Sequence, residues 1–123
     1  MNRLKILVVD DKKVIGDLFE FTLGYTGHVI TVVSNAEDAL QAIKSQPFDI
    51  AFLDIVMPER DGVQLLEDIR IASPSLPIIM MTGYSVEDKR ERAKKLGAVM
   101  CLNKPFEMDD VKKAIKVAIG KEI

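Results

Sequence analysis

The chain is poor in the residues that build covalent or metal staples: it holds one cysteine, Cys101, and one histidine, His28, in 123 residues. A single thiol forms no intramolecular bridge, which suits a reducing compartment. A lone histidine at a strand entrance is assigned no role. Strong charge of either sign is also missing, with 17 basic residues against 19 acidic ones and a formal charge of −2. Such a surface offers no general attraction to nucleic acid or to an anionic membrane. No apolar run approaches membrane-spanning length, and the N-terminal run before Asp10-Asp11 is too short for a signal-peptide core. No low-complexity segment or Pro/Gly-rich linker divides the chain, so a single domain over residues 1–123, set in the cytoplasm, is expected. A chain of this length buries one core without help from a disulfide or a metal.

What is present is an alternation. Five short apolar runs, Ile6–Val9, Val29–Val33, Ile50–Leu53, Ile78–Met81 and Val99–Leu102, have strand length and are mostly continuous, as in strands covered on both faces. Helical spacing lies between them. Val14, Leu18, Phe21 and Tyr25 mark a first helix. Ala36, Ala39, Leu40 and Ile43 mark a second, behind a Ser34-x-x-Glu37 capping box. A later helix follows Ser85, is crowded with Lys89, Arg90, Arg92, Lys94 and Lys95, and ends at Gly97; Met108, Val111, Ile115 and Ala118 mark the last. Strand–helix alternation implies a doubly wound α/β fold with right-handed crossovers, and ligands then bind beyond the carboxyl ends of the strands.

The residues at those ends are Asp10 and Asp11, Asp54, Thr82-Gly83, and Asn103-Lys104-Pro105. In strand order 2-1-3-4-5 the first and third strands are neighbours, so Asp10, Asp11 and Asp54 converge. Two carboxylates about 4 Å apart repel by roughly 4 kcal/mol at an effective dielectric near 20. Converged acids therefore need a cation, a shared proton or a lysine. An all-oxygen cluster without His or Cys suits Mg²⁺ and disfavours zinc or copper. With the cation present, one carboxylate can act as nucleophile toward a phosphoryl group. Lys104 and Thr82 can supply charge and a donor for the phosphoryl oxygens. The fifth strand stands roughly 10 Å from the third, a gap that only a long side chain spans.

In this arrangement the sequence resembles the response-regulator receiver family of two-component signalling. The carrying pieces are Val8-Val9-Asp10-Asp11, Asp54-Ile55-Val56-Met57-Pro58, Asp61-Gly62, Met81-Thr82-Gly83 and Lys104-Pro105-Phe106, and they cover essentially the whole chain. The resemblance implies a flavodoxin-like (βα)5 fold with a five-stranded parallel sheet in the order 2-1-3-4-5. It implies Asp54 as phosphoacceptor and a Mg²⁺ site made by Asp11, Asp54 and the Val56 backbone carbonyl, with Asp10 joining through water. Thr82 and Lys104 would contact the phosphoryl oxygens, and the Lys104–Pro105 bond would be cis. The phosphodonor would be a sensor histidine kinase, a phosphotransfer protein or a small molecule. The output would pass through the fourth helix, fifth strand and fifth helix to an effector domain or protein. The module would be a monomer or weak phosphorylation-dependent dimer, not an enzyme with an external substrate.

Three rival readings fit the residues less well. A magnesium-dependent phosphatase with an aspartyl nucleophile usually carries a second acid two residues on, where this chain has Val56. A flavodoxin needs a phosphate loop where Asp10-Asp11 would repel one. A degenerate receiver would lack phosphorylation residues that are all present. Met57, Met80, Met81 and Met100 read as packing, Cys101 as an inert core thiol, and the basic cluster from Lys89 to Lys95 as a solvated face. Cys101 departs from the family pattern, which places an aromatic residue three positions before the lysine. The coupling from Thr82 to that face is thus expected to be altered, with Tyr84 the nearest aromatic to take part. The chain stops at Ile123, with no room for an effector, so a stand-alone regulator and the front of a longer protein both stay open.

Overall fold

The computed structural model describes residues 3–57, 61–83 and 87–120. Pro58, Glu59, Tyr84 and Ser85 lie outside them. The strands are β1 (Lys5–Val9), β2 (Val29–Val33), β3 (Ile50–Asp54), β4 (Ile78–Thr82) and β5 (Met100–Asn103). The helices are α1 (Lys13–Phe19), α2 (Ala36–Ser45), α3 (Gly62–Ala72), α4 (Glu87–Lys95) and α5 (Met108–Ile119), with a π-helical turn, Glu20–Gly24, extending α1. All strand pairs are parallel, and the sheet order is β2-β1-β3-β4-β5. This is the doubly wound α/β arrangement that the alternating sequence implied, in the flavodoxin-like strand order that the family resemblance implied. Among the described residues no helix is long and apolar enough to cross a membrane.

Strand periodicity sorts the apolar residues into two layers. Leu7, Val9, Ala51, Leu53, Ile78 and Met80 pack with Ala36 and Ala39 of α2, Val63, Leu66 and Ile69 of α3, and Ala93 of α4. Ile6, Val8, Ile50, Phe52, Ile79 and Met81 pack with Phe19 and Leu23 on one side and Val111, Ala114 and Ile115 of α5 on the other. The rings of Phe19 and Phe52 meet edge to face at 4.9 Å. β1, β3 and β4 are therefore buried on both faces, which explains their unbroken apolar sequence. The rims β2 and β5 are only partly covered.

Two sequence expectations need correction. The stripe Val14–Leu18–Phe21–Tyr25 does not face the core: Val14, Phe21 and Tyr25 are exposed, and Phe19 and Leu23 are buried instead. Both stripes are apolar, so hydrophobicity does not choose between them. Gly16 does, because a Cβ there would stand 2.5 Å from Val32 Cγ1. The glycine face is the one that lets the helix lie close against β2. The π turn, closed by Tyr25 N–H donating to the Glu20 carbonyl at 3.2 Å, then spaces Leu23 to follow Phe19 onto the sheet. The second correction concerns α2. Its cap is Asn35, whose side chain accepts from Asp38 N–H at 2.8 Å, and not Ser34. His28 is buried, its Nδ1 accepting the Leu4 N–H at 3.0 Å, and burial lowers its pKa.

One glycine fixes the site's floor. At the start of α3, Gly62 donates its N–H to the Ile55 carbonyl at 2.8 Å, and Asp61 caps the helix by accepting from Val63 N–H at 2.8 Å. A Cβ on Gly62 would meet the Asp54 carbonyl oxygen at 2.1 Å and Ile55 Cα at 2.7 Å. Both are backbone atoms that cannot swing aside. Gly62→Ala is therefore expected to destabilise the fold by more than about 3 kcal/mol in urea unfolding. Gly24→Ala, whose nearest contact would be an ordinary 3.5 Å to Ile30 Cγ1, should stay within about 1 kcal/mol of wild type.

Candidate functional site

The carboxyl ends of β1, β3, β4 and β5 supply every candidate residue. Asp10 and Asp11 follow β1, Asp54 closes β3, Thr82 closes β4 and Lys104 follows β5. Pairing of β1 with β3 brings the first two ends together, and oxygen atoms of Asp10, Asp11 and Asp54 all lie within 4.8 Å of one another. Asp10 and Asp54 are only 2% and 3% exposed, whereas Asp11 faces solvent. An acid so buried without compensation is costly, and each has partners. Asp10 Oδ1 accepts the Lys12 N–H at 2.9 Å, and Asp54 Oδ1 accepts the Val56 N–H at 3.1 Å.

Lys104 crosses the sheet edge to serve both acids. Its ammonium donates to Asp10 Oδ2 at 2.6 Å and to Asp54 Oδ2 at 3.2 Å. Its own N–H is held by the Thr82 carbonyl at 2.7 Å, and the Lys104–Pro105 bond is cis. Burial alone would lower the Lys104 pKa, but the hydrogen bond and charge of Asp10, reinforced by Asp54, raise it above the ordinary value. Asp54 is also raised, chiefly by burial and then by repulsion from Asp10, which Lys104 and the Val56 N–H only partly offset. Three carboxylates face one ammonium here, so formal negative charge exceeds positive. Oxygen donors with that surplus suit a hard divalent cation.

Asp11, Asp54, Val56 and Lys104 line one open pocket, together with Lys12, Met57 and Gly83. Thr82 is buried beside it at the end of β4, 1% exposed. Sequence reading assigned nothing to Lys12, named Gly83 only with Thr82 at the strand end, and took Met57 for packing alone; Met57 both packs and lines the pocket. The signal for Lys12 was its position, directly after the acid pair. Cys101 is a free, half-buried thiol whose pKa burial raises. Nearby, the Arg90 guanidinium of α4 donates to Asn103 Oδ1. The basic cluster is partly paired across elements, Lys89 with Asp61 at 3.1 Å and Arg92 with Glu67 at 3.9 Å. Tyr84, the aromatic expected to take part in the coupling, is outside the described residues.

A family model for the response regulator receiver domain matches residues 6–116. The chain belongs to that family. Among curated relatives it is 38% identical over 103 residues to the response regulator protein FleR of Pseudomonas aeruginosa, covering 84% of this chain and 22% of that protein. It is 32% identical to the transcriptional regulatory protein ZraR of Klebsiella oxytoca, covering 96% and 27%. The receiver thus spans about a quarter of the length of these relatives. A CheY-like receiver domain protein from Methanospirillum hungatei superposes with a TM-score of 0.89 at 30% identity, covering 94% of this chain and 92% of that one. A two-component response regulator from Clostridium difficile superposes at 0.90 with 27% identity, covering 97% and 98%.

If the receiver's acids carry surplus charge, removing one should relieve it. Asp54→Asn leaves an acceptor for Lys104 and a balanced Asp10–Lys104 pair, so without added divalent cation its thermal midpoint should rise by about 3 °C. A lower midpoint in calorimetry would mean that the charge on Asp54 is already compensated.

Proposed function

We propose that this receiver accepts a phosphoryl group on Asp54 and that Mg²⁺ is required. What supports the reading is the convergence of Asp54 with two further acids and the Lys104 ammonium at one pocket. Asp11, Asp54 and the Val56 backbone carbonyl would hold the ion directly, and Asp10 through water. The bound ion would supply positive charge to the acids and to the phosphoryl oxygens.

The chain's own groups do the rest. An Asp54 carboxylate oxygen attacks the phosphorus of a phosphohistidine or acyl phosphate. The new O–P bond forms as the donor's N–P or O–P bond breaks, and the electron pair leaves with the imidazole or the carboxylate. Lys104, already hydrogen-bonded to Asp54, offers its ammonium to the transferred oxygens, and Thr82 offers its hydroxyl. Water later cleaves the acyl phosphate, returning inorganic phosphate and the Asp54 carboxylate. The protein resets itself and turns over no external ester, so it is a signalling module. The phosphatase reading lacks support, since Val56 stands where a second catalytic acid would be expected.

The donor partner is a sensor histidine kinase or phosphotransfer protein in the cytoplasm. An effector domain or protein reads the modified state through α4, β5 and α5, without nucleic-acid or membrane contact by the receiver itself. The names of ZraR and of the DNA-binding transcriptional regulator NtrC of Proteus hauseri, 35% identical over 119 residues, support a transcriptional output.

The test uses acetyl phosphate. Asp54 should be labelled only with Mg²⁺ present, the label should be lost in base or hydroxylamine, and Asp54→Ala should abolish it. Asp11→Asn should weaken Mg²⁺ binding about tenfold or more in calorimetry. Labelling of equal stability in Asp54→Ala would move the nucleophile elsewhere.

A further inference from the structure

Two adjacent lysines follow the acid pair, and they are used differently. Lys13 is committed to the surface of α1, its ammonium 2.8 Å from Asp17 Oδ2. Lys12 stands just before α1 in extended conformation, φ −95° and ψ 115°, with its N–H bound to Asp10 Oδ1 at 2.9 Å. The acid itself therefore fixes the Lys12 backbone at the rim of the site. Lys12 is among the residues that line the pocket with Asp54 and Lys104. Its ammonium is 3.9 Å from Asp11 Oδ1, and the side chain is 62% exposed. So loose and wet a pair contributes little to stability. Unlike Lys104, held between Asp10 and Asp54, this ammonium is free to meet an incoming group.

We propose that Lys12 is a specificity-determining residue of the site, drawing small anionic phosphodonors to Asp54 in proportion to their charge while opposing the divalent cation. The inference rests on Asp54 as phosphoacceptor. Three carboxylates and the Lys104 ammonium sum to −2, and a divalent cation brings that to zero. A neutral site gives an anion no long-range help. Lys12 makes the mouth positive. One unit charge about 7 Å away across water changes the encounter of a monoanion about threefold and of a dianion about sevenfold, less as salt is added. With acetyl phosphate, the dianion arrives, its O–P bond breaks as Asp54 bonds to phosphorus, and acetate leaves with the electron pair.

The experiment compares wild type, Lys12→Gln, Lys12→Arg and the control Lys13→Gln. Labelling rates are measured at saturating Mg²⁺ with dianionic acetyl phosphate and with phosphoramidate as monoanion; Mg²⁺ affinity is measured separately by calorimetry without donor. Lys12→Gln should slow acetyl phosphate about sevenfold and phosphoramidate about threefold, and both gaps should shrink at high salt. The same variant should bind Mg²⁺ several-fold more tightly, a change opposite in sign that a merely structural role would not produce. Lys12→Arg should restore wild-type behaviour, and Lys13→Gln should resemble wild type throughout. If wild type is labelled but Lys12→Gln matches it, or loses rate equally with both donors and binds Mg²⁺ more weakly, the inference is overturned. If wild type binds Mg²⁺ yet neither donor labels Asp54, the phosphoacceptor reading itself fails and takes this inference with it.

Discussion

The ammonium of Lys104, set 2.6 Å from Asp10 and 3.2 Å from Asp54, is the contact on which the site's geometry depends. Parallel pairing of β1 with β3 forces two buried carboxylates into one space, and no rearrangement short of breaking the sheet would separate them. A lysine from β5 must reach past β4 to compensate, which is why its position at the strand end and its length both matter. One charge does not balance three acids, and the Asp54 pKa is raised by burial first and by the repulsion of Asp10 second. On the proposed reading a divalent cation meets the remainder. Removing Lys104 would strand both buried acids, which costs more than the ion pairs contribute.

Rigidity and looseness are distributed accordingly. β1, β3 and β4 are buried on both faces, so the acids sit on the firmest part of the molecule. α4 is the opposite case. Among the described residues it buries only Ala93 and is tied by surface ion pairs and by the Arg90 contact to Asn103, next to Lys104. Exposed pairs of this kind contribute about 0–1 kcal/mol each. An element held so lightly, beside the lysine that faces the acids, can be shifted by a small change at the site.

The strands and their terminal residues were legible because a two-face-buried parallel strand leaves an unmistakable apolar run and its end is where polarity returns. Asp10, Asp54, Thr82 and Lys104 were found that way. The face of α1 was not legible, since its two stripes are equally apolar and Gly16 decides between them only through the proximity of Val32. Asn35 and Ser34 are both good caps, and one position separates them. Gly62 could be named from its motif, but the 2.1 Å approach to the Asp54 carbonyl that requires it exists only in three dimensions. Lys12 carries no signal in the sequence beyond its place after the acid pair, and the pocket alone gives it neighbours.

Whether a divalent cation relieves the converged acids is measured most directly by titrating the Asp54 side-chain carboxyl by carbon-detected NMR, with and without Mg²⁺. The expected result is a pKa above the ordinary aspartate value in the absence of the ion, and a marked fall when Mg²⁺ is added. An Asp54 carboxyl that titrates at or below the ordinary value and ignores Mg²⁺ would contradict it.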